Sequence, residues 1–301
     1  MASASAPERI LQRLDWQVVR RLDGLLQGDY RSLFRGGGSD FAALREYQFG
    51  DDVRAIDWNV TARMTIPYVR EYLEDREITA WFLLDLSPSV DFGTVGGGRE
   101  KRTVLIDFVT TLARLLTRRG NRVGMIVSGG AGEHTTPAGS GRVQVLRLVE
   151  DLLREPRLEG APFTDLAPLL ESAHRRIRRR SLIVLISDFI GVPGWERPLE
   201  LLNRRHELLA VRLVDPREID LPNVGPVLME DAETGEQLYV DTADARFRQR
   251  FRAAADAREA AVAAAFGRAR VEAVTLSTDD DLVRAIVRMA TERRLRRRRP
   301  A

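Results

Sequence analysis

Residues 181–187, Ser-Leu-Ile-Val-Leu-Ile-Ser, are apolar at every interior position. A strand without polar alternation is buried on both faces, the situation of a parallel sheet covered on each side by helices. The rest of the chain suits that setting. Strands are expected over Tyr68–Glu74, Glu77–Leu86, Arg122–Ser128, Glu207–Val214 and Val271–Leu276, with a hairpin formed by Val227–Asp231 and Gln237–Asp241. Helical spacing covers Glu100–Arg119, which Gly120 closes, and Val143–Arg154, Leu166–Arg179, Trp195–Arg205, Ala245–Arg268 and Asp280–Arg293, the last preceded by the cap signal Ser277-Thr278-Asp279. Strands alternating with helices predict an α/β fold with an open, doubly wound, mainly parallel sheet.

Before the alternating region lies an extension, residues 1–67. Within 8–27, Ile10, Leu11, Leu14, Val18, Leu22 and Leu25 recur at helical spacing with charges opposite, which predicts an amphipathic helix. Arg35-Gly-Gly-Gly-Ser-Asp40 breaks regular structure, and the charge-dense stretch 41–63 has the period of neither helix nor strand. Its close-spaced Arg and Asp residues read as a salt-bridge network that docks the extension on the sheet, with Trp58 as a packing anchor and Asp51-Asp52 as turn chemistry. The α/β domain is expected over 68–292, and 293–301 is an arginine-rich tail.

Composition narrows the chemistry. Cysteine is absent, which excludes disulfides, zinc thiolate sites and cysteine nucleophiles, and the three histidines have no ligand spacing. No apolar run approaches the roughly 20 residues of a membrane span, and Met-Ala-Ser-Ala-Ser-Ala-Pro lacks the features of a signal peptide, so the expected location is cytoplasmic. Among 47 basic residues only Lys101 is lysine, which reads as codon bias. The net charge of +3 gives no strong positive field that would call for nucleic acid.

A candidate site must therefore use oxygen chemistry. Asp85, Ser87 and Ser89 form a D-x-S-x-S run where an apolar strand stops, and alternation along an extended backbone sends all three to one side. Such hard oxygens suit Mg²⁺ or Mn²⁺. Average residue usage lets the run occur by chance in roughly one chain in ten of this length, so context has to decide. In doubly wound sheets ligands bind outside the carboxyl ends of the strands, near the switch in strand order, and Ser187-Asp188 ends another apolar strand at the same rim.

Taken with Thr164-x-Leu166-x-x-Leu169-Leu170, these strand ends resemble a von Willebrand factor A-type domain. Gly37-Gly-Ser-Asp40-Phe41, Leu44-Arg45-Glu46-Tyr47, Gly50-Asp51-Asp52-Val-Arg54, Ile56-Asp57-Trp58 and Thr61-Ala-Arg63 further resemble bacterial domain of unknown function family 58, whose members are often found with MoxR-type AAA+ ATPases. The resemblance implies a von Willebrand factor A-like fold and a metal-ion-dependent adhesion site in which Asp85, Ser87, Ser89, Thr164 and Asp188 hold Mg²⁺ or Mn²⁺, directly or through water. It also implies a protein-protein interaction module rather than an enzyme, with a partner supplying a carboxylate: a MoxR-type ATPase or its client. Two other readings follow from the residues themselves: a metal-dependent phosphoester hydrolase at the same rim, and binding of anionic membrane or nucleic acid through the arginine-rich tail. No G-x-x-x-x-G-K-[ST] loop is present, which excludes an NTPase of that type.

Overall fold

The computed structural model describes residues 5–25, 44–48, 51, 53, 56–64, 66–70, 78–93, 99–129, 132–157, 164–230 and 235–297. They fall into two compact units, one formed by residues 1–34 and 78–301 and the other by 35–77.

In chain order the elements begin with α1 (Ala6–Leu14), a π-helical turn (Asp15–Val19) and α2 (Arg20–Leu25). The predicted amphipathic helix is present, but the wider π-turn changes its register, so Val18 and Val19 are both buried together with Leu11, Leu14 and Leu22. Leu25, expected on the apolar stripe, is exposed. The second unit holds β1 (Leu44–Glu46), α3 (Trp58–Met64) and β2 (Tyr68–Arg70). β1 and β2 pair antiparallel, with Arg45 opposite Val69. Two expectations are corrected here. The stretch 41–63 contains a strand and a helix, because Asp57 caps Asn59 and Val60 through its Oδ1 and starts a helix that charge density conceals. The strand expected over 68–74 pairs with β1 in its own two-stranded sheet, and its residues 71–74 lie outside those described. Trp58 is 69% exposed and anchors no core.

The remaining elements are β3 (Thr79–Asp85), α4 (Lys101–Thr117), β4 (Arg122–Gly129), β5 (Gly132–Gly139), α5 (Gly141–Arg154), α6 (Ala167–Arg176), β6 (Leu182–Ser187), α7 (Glu196–Arg205), β7 (Glu207–Val214), β8 (Pro226–Glu230), β9 (Gln237–Asp241), α8 (Ala245–Ala269), β10 (Glu272–Ser277) and α9 (Leu282–Arg297). The central sheet has the order β10-β7-β6-β3-β4-β5. Only β5 runs antiparallel; every other neighbouring pair is parallel. The doubly wound, mainly parallel α/β fold is thus as expected, with an N-terminal helical extension.

Strand parity divides the core in two. Ala80, Phe82 and Leu84 of β3, with Leu182, Val184 and Ile186 of β6, face a layer made by α1, the π-turn, α2, α4, α5 and α9. Leu83, Ile183 and Leu185 face α6, α7 and α8. This two-sided burial is why Ser181–Ser187 reads as an unbroken apolar run. α9 also extends beyond the expected end at residue 293. Arg293, assigned to the tail, is 2% exposed and joins Glu207 on β7 and Glu272 on β10, the latter at 3.0 Å. The cap before α9 is likewise displaced: Asp281 Oδ1 accepts the Arg284 N–H at 2.9 Å.

Candidate functional site

Chain order runs from β3 outward through β4 and β5, then returns to β6 and outward through β7 and β10. β3 and β6 are therefore the strands that flank the reversal, where a crevice opens at their carboxyl ends. Leu84 stands opposite Ile186, so Asp85 and Ser187 follow as neighbours across the parallel pair. Ser187 Oγ donates to Asp85 Oδ2 at 2.7 Å, while the Ser87 N–H donates to Asp85 Oδ1 at 3.0 Å. A short 3₁₀ turn, Pro88–Asp91, then brings the Ser87 and Ser89 hydroxyls within 3.0 Å of each other. Asp85 and Ser89 are buried, and Ser87 is partly open to solvent.

Asp188 is fully buried at the end of β6. Its Oδ1 accepts the Ile190 N–H at 2.9 Å, and its Oδ2 accepts from Lys101 Nζ at 2.8 Å. Between them Phe189 adopts φ of +57°, a left-handed conformation costly for an aromatic residue. Two features hold it there. Its N–H donates to Ser187 Oγ at 2.9 Å, and its ring sits 5.2 Å from Trp195 and 4.8 Å from Phe266. Thr164, also buried, is linked to the same loop by its carbonyl, which accepts the Val192 N–H at 2.9 Å. A Cβ at Gly191 would lie 2.2 Å from that carbonyl oxygen, so glycine is what permits the approach. The neighbouring Asp165 accepts the Ala167 N–H at 2.9 Å, a local bond at the start of α6.

Burial pushes the Asp85 carboxyl up to about 6, and repulsion from Asp188 adds to this, while hydrogen bonds from Ser187 and Ser87 pull the other way. Lys101 lies on the other side of Asp188. Burial disfavours its ammonium, but Asp188 and Glu218 outweigh that and hold its pKa above the ordinary lysine value. Glu218 is raised by burial against the pull of Lys101.

Asp85, Ser87, Ser89 and Asp188 thus converge at one rim, with Thr164 on the loop bonded to the one that follows Asp188. Among the described residues no group of three or more His, Asp or Glu is gathered as a metal cage. A cation here would depend on hydroxyl as well as carboxylate oxygen, and that donor set, without nitrogen or sulfur, suits a hard ion such as Mg²⁺ or Mn²⁺. Three residues at this rim, Ser187, Lys101 and Glu218, are not among the ligands expected from the sequence. Ser187 has the signal of its position, level with Asp85 on the adjacent strand. Lys101 has a compositional signal, the only lysine of an arginine-rich chain. Glu218, reaching in from the turn after β7, has none. Asp91, unplaced by sequence, accepts from Arg102 at 3.2 Å.

Fold and rim define a doubly wound α/β protein with a hard-oxygen cluster at its topological switch point. Residues 43–261 match the family described as protein of unknown function DUF58. The uncharacterized proteins Rv1480 of Mycobacterium tuberculosis and Mb1516 of Mycobacterium bovis are each 38% identical over 286 residues, 94% of this chain and 89% of theirs. The chain belongs to the DUF58 family. Among solved structures, BatB from Bacteroides thetaiotaomicron is 14% identical with a TM-score of 0.43, covering 72% of this chain and 99% of that one. The SpRpn10 VWA domain is 12% identical with a TM-score of 0.39, covering 70% and 95%. Among the described residues no helix is long and apolar enough to cross a membrane.

Proposed function

We propose that the protein is a metal-dependent protein-interaction module whose Asp85, Ser87, Ser89, Thr164 and Asp188 hold Mg²⁺ or Mn²⁺ and present it to a carboxylate of a partner. The observation that carries this reading is the meeting of two buried carboxylates, from the ends of β3 and β6, beside a pair of hydroxyls 3.0 Å apart. Mg²⁺ retains water and accepts an outside oxygen where protein ligands are few and partly neutral. The partner fitting the family resemblance is a MoxR-type AAA+ ATPase or its client.

A phosphoester hydrolase at the same rim is less well supported. It needs a nucleophile or general base open to substrate, whereas Asp85 is 2% exposed and Lys101 is enclosed between two carboxylates.

Calorimetric titration tests the module directly. The wild type is expected to bind Mg²⁺ or Mn²⁺, Asp85→Ala to lose at least about tenfold in affinity, and capture of a purified MoxR-type ATPase to require both the ion and Asp85. Absence of divalent binding by the wild type, or capture that survives Asp85→Ala unchanged, would sink the proposal.

A further inference from the structure

Lys101 is the first residue of α4, and a cation at a helix N-terminus is set against the macrodipole. It is also completely buried. Such a placement holds only where negative charge is supplied at close range, and two carboxylates supply it: Asp188 Oδ2 at 2.8 Å and Glu218 Oε1 at 2.7 Å. The Phe92 ring lies 5.7 Å from the same ammonium. Glu218 is itself fixed. Its Oε2 accepts the Asp215 N–H at 3.1 Å in a capping box, and Asp215 accepts from Thr278 Oγ1 at 2.8 Å at the end of β10. Strand parity explains how the groups meet. Asp188 continues the register of Leu182, Val184 and Ile186, on the face that α4 covers.

Lysine suits this geometry, in which one compact nitrogen serves two converging carboxylates. The chain uses lysine nowhere else. The exception to its arginine habit therefore falls at the rim where the carboxylates gather.

We propose that Lys101 is the internal cation of the rim: it holds Asp188 to Glu218 when no divalent ion is bound, and it sets the affinity for that ion by repelling it. This inference rests on the ion-site reading above and adds its regulation. With Asp188 already neutralised in part by an ammonium, Asp85 is the carboxylate left to meet the ion in full. A bound ion then remains short of negative charge, and an outside carboxylate makes up the deficit. Lys101 acts through Asp188 and is a positioning residue.

Manganese binding followed by electron paramagnetic resonance, with melting temperature measured in Mg²⁺ and in chelator, tests this in two variants of the full chain. Lys101→Met keeps the apolar stem and removes the charge; it is expected to bind Mn²⁺ at least about tenfold tighter than wild type and to melt at a temperature that depends on Mg²⁺ more strongly than that of the wild type. Glu218→Gln leaves the ammonium on Asp188 with one carboxylate fewer and is expected to bind Mn²⁺ several-fold more weakly. Opposite directions in the two variants are the signature, since a merely structural role would weaken binding in both. Affinity that is unchanged or lower in Lys101→Met overturns the inference. Should that variant fail to fold, Glu218→Gln decides: weaker Mn²⁺ binding with the wild-type melting in chelator retained supports the inference, and unchanged affinity, or weaker binding only with a lowered melting temperature, overturns it. Wild type that binds no Mn²⁺ while Lys101→Met does so refutes the ion site of the native chain yet supports Lys101 as its substitute; no binding by any of the three overturns both.

Discussion

Phe189 turns the chain left-handed directly after the buried Asp188, a conformation that a non-glycine residue adopts at a cost. Alanine at such a position carries the strain without the ring, and glycine carries neither. Both Phe189→Ala and Phe189→Gly lose the contacts with Trp195 and Phe266 and should be destabilised by about 2–5 kcal/mol. Glycine is expected to be the milder by about 1 kcal/mol, the reverse of the usual order, in urea denaturation. An alanine variant as stable as the glycine one would show that the left-handed turn is not strained. At this scale the sequence is legible in part. Asp85 follows from the end of one apolar strand and Asp188 from the end of another, whereas Ser87 and Ser89 lie past the strand, where a 3₁₀ turn rather than alternation brings their hydroxyls together. Lys101 is visible but masked by codon bias, since composition explains a missing lysine more readily than a present one. Glu218 is invisible because its position comes from a capping turn 117 residues away from Lys101.

Elements are most legible where packing and period agree. β6 and β7 fall within a residue of the expected bounds because each is buried along its length. The first helix is right in kind but not in register, because a π-turn adds a residue that helical spacing cannot anticipate. α9 hides its end, since Arg293 looks like the start of a charged tail and becomes a core residue only when Glu207 and Glu272 stand opposite. His206, between α7 and β7, has a thermodynamic consequence of its own. Burial lowers its pKa from 6.5 to about 4, with Arg205, His174 and Arg180 adding repulsion. In the unfolded chain it takes up a proton near pH 6.5, whereas the folded chain resists until about pH 4. Its contribution to stability is therefore complete above pH 6.5 and is lost as pH falls through that window, about 2 kcal/mol by pH 5. Urea denaturation at pH 7 and pH 5 should show a smaller loss for His206→Gln than for wild type. Equal losses would place the acid sensitivity elsewhere.

The two units of the molecule draw on the sequence differently. Residues 35–77 interrupt the chain between the N-terminal helices and β3, yet those helices belong to the same compact unit as the sheet. Arg13 and Arg114 illustrate the tie: Arg13 pairs with Asp107 on α4, and Arg114 of that helix pairs with Asp15 at 3.0 Å. More important is the apolar face. Leu11, Leu14, Val18, Val19 and Leu22 are buried within the core that also covers Phe82, Leu105 and Ile286. At about 1.5–3 kcal/mol for each buried aliphatic side chain, the five together are worth on the order of 7–15 kcal/mol, an upper bound for burial measured against an extended chain. That is comparable to the whole stability of about 5–15 kcal/mol expected for a folded domain. Removal of residues 1–25 should therefore abolish cooperative unfolding and expose the α4 face, followed by circular dichroism and dye binding, even though the oxygen-lined rim lies elsewhere in the sequence. Trp58→Ala, an exposed position in the other unit, is the matched control and should shift stability by no more than about 0.5 kcal/mol. A truncated chain that still melts cooperatively near the wild-type temperature would mean that the sheet closes its core without the helix. The amphipathic stripe would then be free surface rather than part of the helical layer that covers one face of the sheet.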